Sequence, residues 1–92
     1  MSNETFTSIW DAIADTPAES VNLSMRAPLM QEIADIIREN GWKQAEAAKQ
    51  LGVTQPRIND LMRGRISRFS LDALVNMAAM TGRSVRIELL AA

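Results

Sequence analysis

Cysteine and histidine are both missing from the 92-residue chain. Their absence removes thiolate and imidazole chemistry together: no Cys–His or Ser–His nucleophile pair, no zinc site of the usual ligands, and no disulfide. A site made of carboxylates alone needs acidic residues clustered at loop spacing, and the sequence offers no such cluster. No apolar run approaches the roughly 18 residues of a membrane span. Met1 to Trp10 lacks the basic-then-apolar order of a signal peptide. The expectation is a cytoplasmic protein that is not an enzyme, with no catalytic residues, metal or cofactor, and no membrane contact.

Charge of one sign is also lacking overall, since 10 Lys and Arg stand against 11 Asp and Glu for a net of −1. Position tells more. Residues 1–41 carry Glu4, Asp11, Asp15, Glu19, Glu32, Asp35 and Glu39 against Arg26 and Arg38, a net of −5. Residues 42–92 carry Lys43, Lys49, Arg57, Arg63, Arg65, Arg68, Arg83 and Arg86 against Glu46, Asp60, Asp72 and Glu88, a net of +4. Such asymmetry suits a basic end turned toward a polyanion and an acidic end turned away. Ordinary scatter of surface charge gives it equally well.

The hydrophobic share of 47% is enough for one core, and the length suits one domain. Phe6, Ile9, Trp10 and Ile13 recur at helical spacing and predict a short amphipathic helix over Thr5–Asp15. Thr16-Pro17-Ala18-Glu19 reads as a helix start, with a short helical segment to follow. Pro28 then opens a clearer helix to Asn40, with Leu29, Ile33, Ile36 and Ile37 as its apolar stripe. Further helices are predicted from Trp42 to Leu51, from a Thr54 cap to about Arg63, and from a Ser70 cap over Leu71–Met80. Leu71, Leu74, Val75 and Ala78 share a face of the last. Gly64 to Phe69 reads as the least structured segment, and is densely basic.

The ending changes period. Val85, Ile87 and Leu89 alternate with Arg86 and Glu88, which is a strand pattern with no other strand to pair with. Such a segment either packs irregularly or pairs with its own copy across a two-fold axis, the simplest solution. The expected layout is one domain over residues 1–92: a helical extension at 1–25, a core at 26–82, and a dimerisation strand at 83–92 carrying Val85, Ile87 and Leu89.

Gln44 to Leu61 carries the most specific signal. Ala48 is small where two helices would touch. Gly52, four residues later, tolerates the positive φ of a tight turn. Leu51, Val53, Ile58 and Leu61 fill the wedge between the helices. This is the spacing of a helix-turn-helix. At about 100° per residue, Ile58 and Leu61 point inward, Pro56, Asn59 and Arg63 point outward, and Gln55 and Asp60 lie at the edges. Gln and Asn can pair with adenine, Arg with guanine, and Pro56 can touch a thymine methyl. Asp60 is placed to orient Arg57 or Arg63, or to accept from cytosine. Arg65 and Arg68, with backbone amides near Ser70, suit phosphate contacts, and Gln44 points toward the same backbone. The expected DNA-binding set is Gln44, Thr54, Gln55, Pro56, Arg57, Asn59, Asp60, Arg63, Arg65 and Arg68. The competing reading of each polar residue is a solvated surface. Trp42 reads as a packing residue and the methionines as core filler; Trp10 is a packing residue or an anchor for a partner.

The run from Gln44 through Ala48, Gly52, Thr54 and Ile58 to Leu61 resembles the helix-turn-helix of the Xre (lambda repressor/Cro-like) family. More narrowly, Ser8-Ile9-Trp10-Asp11-Ala12-Ile13, Leu61-Met62-Arg63-Gly64-Arg65 and Phe69 to Val75 resemble the HigA-like antitoxins. The resemblance implies an all-α, lambda-repressor-like five-helix domain whose third conserved helix enters the major groove. It implies a homodimer on a palindromic operator in double-stranded DNA, with half-sites roughly one helical turn apart. It also implies a RelE/HigB-like toxin as partner and repression of the pair's own operon. The short C-terminus departs from many repressors, which carry a dedicated dimerisation domain. Two alternatives are a phage-type repressor without a toxin and a protein-interaction module that has lost DNA binding and works through its acidic first half.

Overall fold

The computed structural model describes residues 16–91; the helix expected over Thr5–Asp15, with Phe6 and Trp10, lies outside them. Among the described residues the chain forms four α-helices and one 3-10 turn: α1 (Pro17–Glu39), α2 (Gln44–Leu51), α3 (Gln55–Met62), the 3-10 turn (Ile66–Arg68) and α4 (Leu71–Ala79).

The first helix starts where its cap signal lies. The Thr16 hydroxyl accepts from the Glu19 amide at 3.0 Å, and Pro17 supplies a fixed φ with no amide to satisfy. It does not stop for Pro28. One 23-residue helix replaces the short segment and the separate helix expected from the sequence, and it runs unbroken through residues 25 and 26. A proline inside a helix forfeits one hydrogen bond and crowds the carbonyl four residues back. Packing on both sides outweighs that cost. Leu23 precedes Pro28 in the core, while Met30, Ile33, Ala34, Ile36 and Ile37 follow it. Arg26 is bonded to a distant loop, and Pro28 itself is exposed, where its ring has room.

α1 packs along α4 and also reaches α3 and the 3-10 turn, so it backs the other elements. Phe69, Ile33, Ile58 and Leu74 are the largest side chains shut away from solvent. Trp42 and Val53 lie partly buried against this cluster. On α4, Leu74 and Ala78 are buried as the spacing predicts, with Leu71 and Val75 half-buried, and Met77 joins them.

Between α2 and α3 the chain turns on Gly52, whose φ of +70° is the left-handed conformation the tight turn demands. Ala47 is fully buried and Ala48 nearly so; two small residues, not one, let the helices approach.

Residues 83–91 carry no regular secondary structure within the single chain, so the strand expected there is not formed. A strand exists only with a ladder partner, and among the described residues there is no other strand. Val85 is packed against the core, whereas Ile87 is half-exposed and Leu89 and Leu90 are 100% and 81% exposed. No helix among the described residues is long and apolar enough to cross a membrane.

Candidate nucleic-acid interface

The α2–α3 pair presents a surface of unusual chemistry at its helix starts. α1 and α4 begin with hydroxyl caps, Thr16 on Glu19 N and Ser70 on Ala73 N, each at 3.0 Å. α2 and α3 begin with no side-chain cap at all. At α2 the capping position is Lys43, which has no acceptor. At α3 it is Thr54, whose hydroxyl was expected to cap and does not. The second helical position is Pro56, which has no amide to offer. The third, Arg57, donates to the Thr54 carbonyl at 3.1 Å instead. Helix starts without a side-chain cap keep a positive dipole end that favours anions.

α3 shows the two faces read from its spacing. Ile58 and Leu61 are buried at 0% and 2% exposure, while Thr54, Gln55 and Pro56 stand exposed and Asn59 is half-buried. Arg63 is exposed just past the helix end, and Gln44 is half-buried at the start of α2. Thr54, Gln55, Pro56, Asn59 and Arg63 thus bring hydroxyl, amide and guanidinium groups to one element held on the core by the opposite face.

The segment after α3 is not loose, contrary to its glycine- and arginine-rich composition. Residues 66–68 form a 3-10 turn held by side chains from two helices. Arg26 on α1 donates from Nη1 to the carbonyls of Ile66 (3.2 Å) and Phe69 (2.7 Å). Arg57 on α3 donates from Nη1 to the Arg68 carbonyl at 2.7 Å, and its guanidinium lies 4.4 Å from the centre of the Phe69 ring. Asp60 on α3 accepts from Arg65 at 2.9 Å and from Arg68 at 3.0 Å.

These bonds redistribute the roles read from sequence. The Asp60 carboxylate orients Arg65 and Arg68 rather than Arg57 or Arg63. The Arg57 guanidinium is turned onto the loop and the Phe69 ring. The Ser70 hydroxyl is spent on its own helix. Arg26 was not anticipated. Its partners lie 40 and 43 residues away, and no local pattern announces such a bond.

A family model for the helix-turn-helix domain matches residues 12–89, which is most of the chain. No curated protein matches it.

Proposed function

The chain belongs to the helix-turn-helix domain family, and on that premise we propose that it is a sequence-specific DNA-binding transcriptional regulator that inserts α3 into the major groove. One observation carries the reading: α3 is anchored by buried Ile58 and Leu61 and offers exposed Thr54, Gln55 and Pro56, with Asn59 beside them. Base edges are read by amide and guanidinium groups on such a helix, while flanking cations and uncapped helix starts take the phosphates. Gln55, Asn59 and Arg63 read bases, Pro56 rests on a thymine methyl, and Gln44, Thr54, Arg65 and Arg68 hold the backbone. Arg57 and Asp60 act by shaping the loop. A role on DNA supports a cytoplasmic location.

The finer proposal is a homodimeric repressor of its own operon, related to the Xre family and serving as antitoxin to a RelE/HigB-like toxin. Support for the dimer is the exposed apolar end, Ile87, Leu89 and Leu90, beside a groove of about 400 Å³ lined by Met25, Leu29, Ile36 and Leu71. The toxin rests on the resemblance of the sequence alone, and co-purification with the neighbouring gene's product tests it. A footprint on the DNA upstream of the protein's own gene, across a salt series, tests the whole reading. A protected palindrome and a steep loss of affinity with salt are expected. No protection at low salt would refute DNA binding.

A further inference from the structure

Two guanidinium groups share one carboxylate oxygen on α3. Oδ1 of Asp60 receives Nη1 of Arg65 at 2.9 Å and Nη1 of Arg68 at 3.0 Å, and the Asp60 carbonyl also accepts the Arg65 amide at 3.0 Å. We propose that Asp60 is a positioning residue, which holds Arg65 and Arg68 together as one phosphate clamp and limits the charge this clamp shows to DNA of any sequence. The inference rests on the DNA-binding reading above.

Geometry and charge both support it. Two like charges drawn to one oxygen repel each other, so the pair stays together only while the carboxylate lies between. The Asp60 side chain is just 13% exposed, whereas those of Arg65 and Arg68 are 38% and 57% exposed. The cations therefore face outward with N–H donors to spare, and the anion sits behind them. Asp60 lies on the helix that reads bases and the arginines lie on the turn that follows it. The carboxylate fixes the position of the clamp relative to the reading residues. A base-reading role for Asp60 would need its carboxylate turned outward, whereas Oδ1 accepts from both arginines and the side chain is only 13% exposed. The bare pair would show DNA one more positive charge than the set of three does.

The test compares the full-length wild type, Asp60→Asn and Asp60→Glu on two duplexes: one of random sequence, and one selected from a randomised pool by the wild type. Asn keeps the shape and removes the charge; Glu keeps the charge. Asp60→Asn should bind the random duplex about fivefold more tightly near 0.15 M salt, with a salt slope steeper by about one unit. Its preference for the selected duplex should fall by at least that factor, and Asp60→Glu should restore much of it. Wild-type affinities for both duplexes would overturn the proposal. So would a loss confined to discrimination at one cytosine, which would make Asp60 a base reader. Wild-type protein that selects no duplex from the pool and does not bind the random one would overturn the DNA-binding reading and this proposal with it, a result distinct from the other two. Should Asp60→Asn unfold, Arg65→Gln with Arg68→Gln keeps the helix intact. That pair should weaken the random duplex about thirtyfold at the same salt, and unchanged binding would overturn the proposal.

Discussion

The guanidinium of Arg57 lies 4.4 Å from the centre of the Phe69 ring while the same group bonds the carbonyl of Arg68 at 2.7 Å. One side chain thus joins α3 to the turn that follows it, through the face of a buried aromatic and through the backbone. Arg57→Ala removes both contacts and should lower stability by about 1–2 kcal/mol. Arg57→Lys, which keeps a cation over the ring without the planar fork, should lose less. Urea titration of the three proteins checks the order, and equal midpoints would show that neither contact matters.

Arg26 makes the matching anchor from α1. Arg26→Met keeps the unbranched apolar stem but leaves the carbonyls of Ile66 and Phe69 without this donor. A loss of about 1–3 kcal/mol follows. Amide hydrogen exchange at Arg68 and Phe69 should quicken more than exchange in α2. A uniform change across the domain would mean that the bond is not local to the turn.

Pro28 offers a gain. Its neighbours keep α1 helical through a residue that costs a free helix about 3 kcal/mol relative to alanine. Pro28→Ala restores the missing amide on an exposed face, and thermal melting should show a protein more stable by about 1–3 kcal/mol. No rise in melting temperature would indicate that the proline's stiffening of the unfolded chain offsets the lost bond.

On DNA, the reading residues and the phosphate residues should separate cleanly. Gln55→Ala or Asn59→Ala should cost about 1–3 kcal/mol on the preferred site and alter base preference, while Arg65→Ala should weaken every duplex and flatten the salt slope by about one unit. Affinity measured on a panel of site variants at several salt concentrations distinguishes the two patterns. Unaltered base preference in both Gln55→Ala and Asn59→Ala would place recognition elsewhere.

Removal of the residues after Gly82 takes away the exposed Ile87, Leu89 and Leu90 and the partly buried Val85. Sedimentation should report a monomer with weak DNA binding. A truncated chain that remains a dimer would locate the interface on the helices.

Local spacing made the centre of the molecule legible. Ala48, Gly52, Ile58 and Leu61 sit within fourteen residues of one another in the sequence, and their contacts are made between adjacent helices. A turn glycine and an apolar period therefore carried enough information for α2 and α3. Pro28 misled because its local penalty is real, yet it is settled by burial of Leu23, Met30 and Ile33, which no local rule weighs. Thr54 misled because the amide a hydroxyl cap would take, that of Arg57, is given to the Thr54 carbonyl instead, and Pro56 has no amide to replace it. The stiffness of the turn after α3 was hidden for a third reason. Its composition is that of a loop, and the groups that hold it, Arg26 above all, come from far along the chain. The tail's period of two marks a segment able to pair, but a ladder needs a second strand, and one chain does not contain it.

Residues 66–69 are fastened to α1 by Arg26 and to α3 by Arg57, with Asp60 holding the arginines at the turn, all before any DNA is present. The consequence is kinetic. A segment that must fold upon its target adds a slow step and an entropic toll to each encounter. Here the surface proposed to meet the phosphates is assembled in advance, so association should proceed in a single phase whose rate rises linearly with protein concentration. Time spent on the duplex, rather than the speed of arrival, then separates a right sequence from a wrong one.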